Sequence, residues 1–153
     1  MTLRKRAANM AHLLISTLWA IAFAAPALAA PDISTDSAIF VERAEAGQSR
    51  RLEPAGDLNR GDRVVTILRW QKLGGDGGFT ITNPLPKAIS YQKSSLPNEE
   101  VSVDGGRSWG LLGKLRIGAR MATPEDVTHV RWRIPAERAA SGAGQIAYRG
   151  IVR

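Results

Sequence analysis

Residues 63–71, RVVTILRWQ, constrain the fold of this chain more than any other stretch. Successive side chains of a β-strand point to opposite faces, so Val64, Thr66, Leu68 and Trp70 would share one face of a strand. Shorter runs of the same kind recur along the chain, separated by Gly, Pro, Asn and Asp. Period-2 alternation between turn residues is typical of antiparallel β-proteins.

The same pattern predicts further strands and almost no helix. They fall at residues 38–43, 51–53, 79–83, 89–93, 101–103, 109–115, 127–134 and 145–152. The one helical piece, residues 135–140 (PAERAA), is ended by Gly142 after less than two turns. We therefore predict an all-β, immunoglobulin-like sandwich of about 7–9 antiparallel strands. A small barrel is the alternative.

The N-terminal segment has the features of a secretory signal peptide. A basic start, RKR at residues 4–6, precedes the apolar residues 10–25, and Ala27-x-Ala29 offers the small residues of a cleavage site. A membrane anchor is the other interpretation, but His12 and Ser16 interrupt an apolar run shorter than the roughly 20 residues that span a bilayer. We predict cleavage after Ala29, with Ala30 as the second choice.

Removal of residues 1–29 defines the rest of the chain. We predict a polar lead-in at residues 30–37 and a single β-sandwich domain at 38–153, in the periplasm or outside the cell and without a stable membrane span. The signal takes three of the 21 basic residues and none of the 14 acidic ones, which leaves a formal charge of +4. Because the Arg residues are scattered, we expect no nucleic-acid partner. The absence of cysteine excludes disulfides and thiol catalysis.

The segment VSVDGGRSWG at residues 101–110 contains one motif-like pattern. Its spacing of Ser102, Asp104, Gly106, Ser108 and Trp109 resembles the Asp-box hairpin of sialidase propellers. A propeller repeats the motif over several hundred residues, and this chain holds one copy, so we interpret it as a structural hairpin. The dipeptide Asp104-Gly105 favours a type I′ turn, in which both central residues have positive φ. We expect Ser102 and Ser108 to tie the arms together, with Trp109 packed below.

A longer resemblance extends over residues 59–153. The segments GDRVVTILRW, TITNPLP, SYQKSS, SVDGG, VTHVRWRIP and GAGQIAYRGIVR follow one another in an order that resembles the bacterial conserved-repeat domain, a domain of unknown function in exported and surface proteins. The resemblance implies an immunoglobulin-like sandwich. It implies no catalytic residue.

The sequence contains few residues in patterns typical of metal-binding or catalytic sites. His129 is the one histidine beyond the signal segment, and we place it on the outer face of its strand beside Arg131 and Arg133, which would repel a cation. No G-x-S-x-G elbow and no phosphate-binding loop is present. We therefore predict no enzyme, no catalytic residue, no metal and no cofactor.

Binding is the function class that the sequence leaves most open. His129, Arg131 and Arg133, joined by Arg149 on the next strand, would form a basic stripe suited to an envelope protein or an anionic or glycan surface polymer. We predict a non-catalytic interaction or structural module of the envelope. The alternative is a carbohydrate-binding module that uses an exposed Trp109 or Trp70.

Overall fold

The computed structural model describes residues 31–44 and 49–153. The predicted signal peptide lies outside them. The strands are β1 (Asp32–Arg43), β2 (Arg51–Pro54), β3 (Arg63–Gly74), β4 (Phe79–Pro84), β5 (Ile89–Ser94), β6 (Glu100–Ser102), β7 (Arg116–Ile117), β8 (Arg120–Met121), β9 (His129–Ile134) and β10 (Ala143–Val152). The helix α1 (Ala136–Ala139) and the 3₁₀ turns at Leu112–Lys114 and Pro124–Asp126 connect them.

Two antiparallel sheets build the domain. The larger sheet has five strands in the order β2-β1-β3-β10-β5, and the smaller one has three in the order β4-β9-β6. The strands β7 and β8 form a separate two-stranded hairpin. The prediction of an all-β sandwich is confirmed. No helix in the described ranges is long and apolar enough to cross a bilayer.

The alternation in β3 decides which side of the large sheet faces the core. Val64 and Leu68 are each 3 % exposed and Trp70 is 2 % exposed, as the period-2 pattern predicts. Thr66 lies on the same face and is also buried. Burying one large apolar side chain stabilises a fold by about 1.5–3 kcal/mol, so these positions fix the register of the central strand.

The facing sheet supplies the other half of the core. Trp132 on β9 is buried and lies 5.7 Å, between ring centroids, from Tyr148 on β10. The Nε1 of Trp132 donates to Ser94 Oγ at 2.9 Å, and Asn83 Nδ2 donates to Tyr148 Oη at 2.7 Å. These contacts join the two sheets through polar groups as well as apolar ones.

The N-terminal strand corrects one boundary. The sequence analysis began the first strand at Ala38 and treated residues 30–37 as a polar lead-in, whereas β1 begins at Asp32. Residues from Ser34 to Ser37 pair with β3 although most of their side chains are exposed. The ladder bonds to a buried neighbour hold this stretch as strand, so it needs no apolar alternation of its own.

The strand predicted at residues 109–115 is also wrong. Gly110 forms one isolated bridge with Val101, and the chain then turns into the 3₁₀ segment. Leu112 and Leu115 pack against the core from this turn. Their spacing of three residues suits a 3₁₀ turn, in which side chains three apart lie above one another.

Candidate functional site

The Asp-box-like hairpin is organised around one carboxylate. Asp104 Oδ1 accepts bonds from Ser102 Oγ at 2.7 Å, Ser108 N at 2.9 Å and Arg107 N at 3.0 Å. Its Oδ2 accepts from Ser108 Oγ at 2.6 Å. These donors, the Ser108 hydroxyl first, hold the pKa of the Asp104 carboxyl well below its usual range. The carboxylate therefore acts as the structural centre of the loop.

The predicted turn at Asp104-Gly105 is wrong in its position. The positive φ angles fall on Gly105 at 79° and Gly106 at 88°, one residue later than a type I′ turn on Asp104-Gly105 requires. In this conformation the Asp104 carboxylate faces the N–H groups of Arg107 and Ser108. Ser102 Oγ completes it by accepting from Gly106 N at 2.8 Å. Both serines bond the Asp104 carboxylate, and neither bonds the opposite arm through the other serine.

Trp109 joins this hairpin to β9. Its Nε1 donates to Gly106 O at 2.9 Å, and its ring is half-buried. The guanidinium carbon of Arg131 lies 4.4 Å from the Trp109 ring centroid, and the His129 ring approaches edge-on at 6.3 Å. A sugar stacking on the ring face next to Arg131 would have to displace that guanidinium.

The other tryptophan of the carbohydrate-binding alternative is not exposed. Trp70 packs edge-on against Phe79, with ring centroids 5.1 Å apart, and only 2 % of it is accessible. It lies in the core because it shares the inward face of β3 with Leu68. Trp70 therefore offers no stacking surface to a glycan.

The predicted basic stripe divides between two sheets. His129, Arg131 and Arg133 lie on β9 of the small sheet, whereas Arg149 lies on β10 of the large one. The two strands follow each other in sequence but do not pair, because α1 carries the chain from one sheet to the other. The inclusion of Arg149 in that stripe is wrong.

The two arginines that remain in the stripe both bond to the carboxylate of Glu100. Glu100 Oε2 accepts from Arg131 Nε at 2.8 Å and from Arg133 Nη2 at 3.1 Å. These contacts, the Arg131 bond first, lower the pKa of the Glu100 carboxyl. His129 Nδ1 lies 3.1 Å from Thr128 Oγ1. The surface around β9 therefore carries less free positive charge than the sequence suggests.

A groove on the outer face of the large sheet escaped the sequence analysis. Val65, Ile67 and Ala147 line a cavity of about 570 Å³, and β2 and β5 supply its sides. Volumes of about 300–1,000 Å³ are typical of small-molecule sites. The sequence could have indicated this groove. The outward positions of β3 are apolar, whereas the solvent-facing side of an antiparallel strand usually carries polar residues.

Charged side chains border this outer groove. Arg50, Lys93, Arg149 and Glu42 line both the groove and a neighbouring cavity of about 340 Å³, to which Arg63 also contributes. Glu42 pairs with Arg50 at 3.3 Å, and the Glu42 side chain is only 6 % exposed. The border thus holds four cationic groups and one carboxylate.

The cations of the outer groove differ in their partners. No salt bridge found in residues 31–44 and 49–153 involves Arg63, Lys93 or Arg149. Lys93 and Arg149 lie directly opposite each other in the β5–β10 ladder. Like charges in this position destabilise a sheet.

Within the described ranges, no group of three or more His, Cys, Asp or Glu side chains is placed to hold a metal ion.

No family model matches the chain, and no significant match was found among curated proteins or solved structures. The resemblance to the conserved-repeat domain stays a prediction.

Proposed function

We propose that the protein is an exported, non-catalytic β-sandwich that binds a component of the cell envelope through its outer groove. The groove itself carries this proposal. An antiparallel sheet with one solvent-facing side normally alternates apolar inward with polar outward residues. Here the outward positions Val65, Ile67 and Ala147 are apolar and line an open cavity. Grouped apolar surface with a polar border is typical of interaction sites.

The non-catalytic part of the proposal is supported by what the polar groups do. Asp104 is saturated by bonds within its own loop, and Glu100 bridges two arginines. His129 packs against Trp109. Each group that first suggested chemistry is thus used to hold the fold, and binding is the role that fits the remaining surface.

The export part rests on the N-terminal segment. Residues 1–29 combine a basic start, a short apolar stretch and the Ala27-x-Ala29 site. Cleavage after Ala29 would leave β1 whole, since that strand begins at Asp32. The intact mass of protein recovered from the envelope fraction or the medium should correspond to a chain that starts at Ala30. Recovery of the uncleaved chain from the cytoplasm alone would contradict export.

Site-specific photo-crosslinking in producing cells tests the binding role. A benzophenone side chain at Leu52 would lie at the exposed side of the groove, and one at Lys114 would lie on a 3₁₀ turn that does not line the groove. We expect an envelope adduct from position 52 that disappears in a Lys93→Gln/Arg149→Gln background. No adduct from position 52, or equal adducts from both positions, would refute the role.

A further inference from the structure

We propose that the outer groove binds a single-chain anionic amphiphile, a molecule with one apolar body and one acidic head group. The inference rests on the proposed function and names the chemical class of the ligand. Two properties of the groove carry it: an apolar floor and, at one end of that floor, the cations Lys93 and Arg149, which form no salt bridge within the described residues.

The apolar floor selects the body of the ligand. Val65 on β3 is 5 % exposed, and its neighbours Ile67 and Ala147 are half-buried and project to the same side. Leu52, which is 43 % exposed, stands at the side of the groove. An alkyl chain lying across Ile67, Ala147 and Leu52 would remove their remaining apolar surface from water, at about 25 cal/mol for each Å² buried.

The paired cations select the head group. Lys93 and Arg149 face each other across the β5–β10 ladder, an arrangement that costs stability because their charges are alike. Glu42 reaches the same region but is already bonded to Arg50. A carboxylate or phosphate between Lys93 and Arg149 would relieve their repulsion and accept charge-assisted hydrogen bonds from both.

A peptide partner fits this groove less well. Extended peptides bind sheets by adding a strand at an edge, where unpaired N–H and C=O groups offer hydrogen bonds. The groove lies over β3 and β10, which occupy the middle of the sheet and pair with each other and with both outer neighbours. The floor therefore offers side chains and no backbone bonds, which suits an alkyl chain.

Calorimetric titration of the purified exported protein tests the ligand class. The probes are dodecanoate and dodecyl phosphate below their micelle concentrations, with dodecanol and acetate as the uncharged and chainless controls. We expect at least one anionic amphiphile to bind about tenfold or more tighter than dodecanol, and acetate not to bind. The tighter of the two anionic probes identifies the head group. Failure of both, or equal affinity for dodecanol, overturns the proposal.

Matched double variants locate the site. Lys93→Gln/Arg149→Gln should weaken the anionic probe about tenfold or more, and Arg60→Gln/Lys114→Gln, which removes the same charge from two exposed positions elsewhere, should not. The groove variant should unfold at the same or a higher temperature, because a like-charge pair has been removed. Equal loss of binding in both variants would overturn the assignment.

The outcomes separate this inference from the proposed function. An adduct at position 52 in cells, together with failure of both anionic probes, would leave the groove as the binding site and overturn only the ligand class. Conversely, tight probe binding without any envelope adduct would support the ligand class and refute the envelope role. Conversion of the probe into a product, followed by mass spectrometry, would refute the non-catalytic part alone.

Discussion

Arg131 lies with its guanidinium carbon 4.4 Å from the centroid of the Trp109 ring. This contact joins the Asp-box-like hairpin to the central strand of the small sheet. Because the same guanidinium bonds Glu100 at 2.8 Å, its position over the ring is fixed from two sides. Trp109 is therefore a structural anchor whose exposure depends on Arg131.

Replacing Arg131 should uncover the Trp109 ring. In Arg131→Met we expect stronger iodide quenching of tryptophan fluorescence and a loss of about 0.5–1 kcal/mol of unfolding free energy from the cation–π contact. The matched control is Arg133→Met, which also loses a bond to Glu100 but leaves Trp109 covered. Both variants are made in a chain that starts at Ala30 and so lacks Trp19. Since Trp70 and Trp132 are buried, the change in quenching then reports on Trp109. Equal quenching in the two variants would contradict this role of Arg131.

Asp104 should be needed for stability and not for ligand binding. Asp104→Ala leaves Ser102 Oγ, Ser108 Oγ and two backbone N–H groups without their acceptor. We expect a clearly lower unfolding temperature than in Asp57→Ala, where an exposed carboxylate is removed that forms no hydrogen bond or salt bridge within the described residues. Affinity for an anionic amphiphile should not change once both variants are measured well below their unfolding temperatures. An unchanged unfolding temperature would refute the structural role.

The lowered pKa of Asp104 predicts how acid changes the stability of the folded protein. A carboxyl whose pKa is lower in the folded state contributes stability above its ordinary pKa of about 4 and loses that contribution as the pH falls toward the lowered value. The stability difference between wild type and Asp104→Asn should therefore narrow between about pH 7 and about pH 2. Urea unfolding midpoints measure it. A difference that widens with acid would show that the sign is wrong.

Gly144 should tolerate no side chain. A Cβ there would lie 2.5 Å from Cζ2 and 2.7 Å from Cε2 of Trp70, so the core would have to shift. We expect Gly144→Ala to cost about 1–3 kcal/mol of unfolding free energy, the usual range for overpacking. At Gly56 an added Cβ meets nothing within 4 Å, which makes Gly56→Ala the control. Chemical denaturation of both variants checks the prediction, and equal stabilities would contradict the close contact.

Some features of the fold were accessible from sequence and others were not. The burial of Val64, Leu68 and Trp70 followed from alternation, because a strand with one face toward the core buries every second side chain. The strand at Ser34 to Ser37 could not be predicted in this way. Its backbone hydrogen bonds to β3 hold it extended, and its own side chains show no strand pattern. Alternation along one strand predicts which of its side chains are buried, but it does not predict which strand will pair with it.

The sites divide in the same way. The bonds of Ser102 and Ser108 to Asp104 lie within seven residues, so the motif marked the loop in which they form, although the turn is one residue later than expected. Arg149 was assigned to the wrong surface because consecutive strands, β9 and β10, belong to different sheets. The outer groove joins Arg50, Lys93 and Arg149, which are far apart along the chain, and only the completed sheet brings them together.

The place of β10 in the sheet has a consequence for how the molecule is made. This strand follows every other strand in the chain, yet it sits between β3 and β5 and carries buried residues such as Ile146 and Tyr148. Until β10 has been synthesised, nothing joins β3 to β5, and the core lacks the side chains that β10 supplies. Long-range pairing of this kind slows folding. The large sheet can therefore be completed only after β10 has been synthesised.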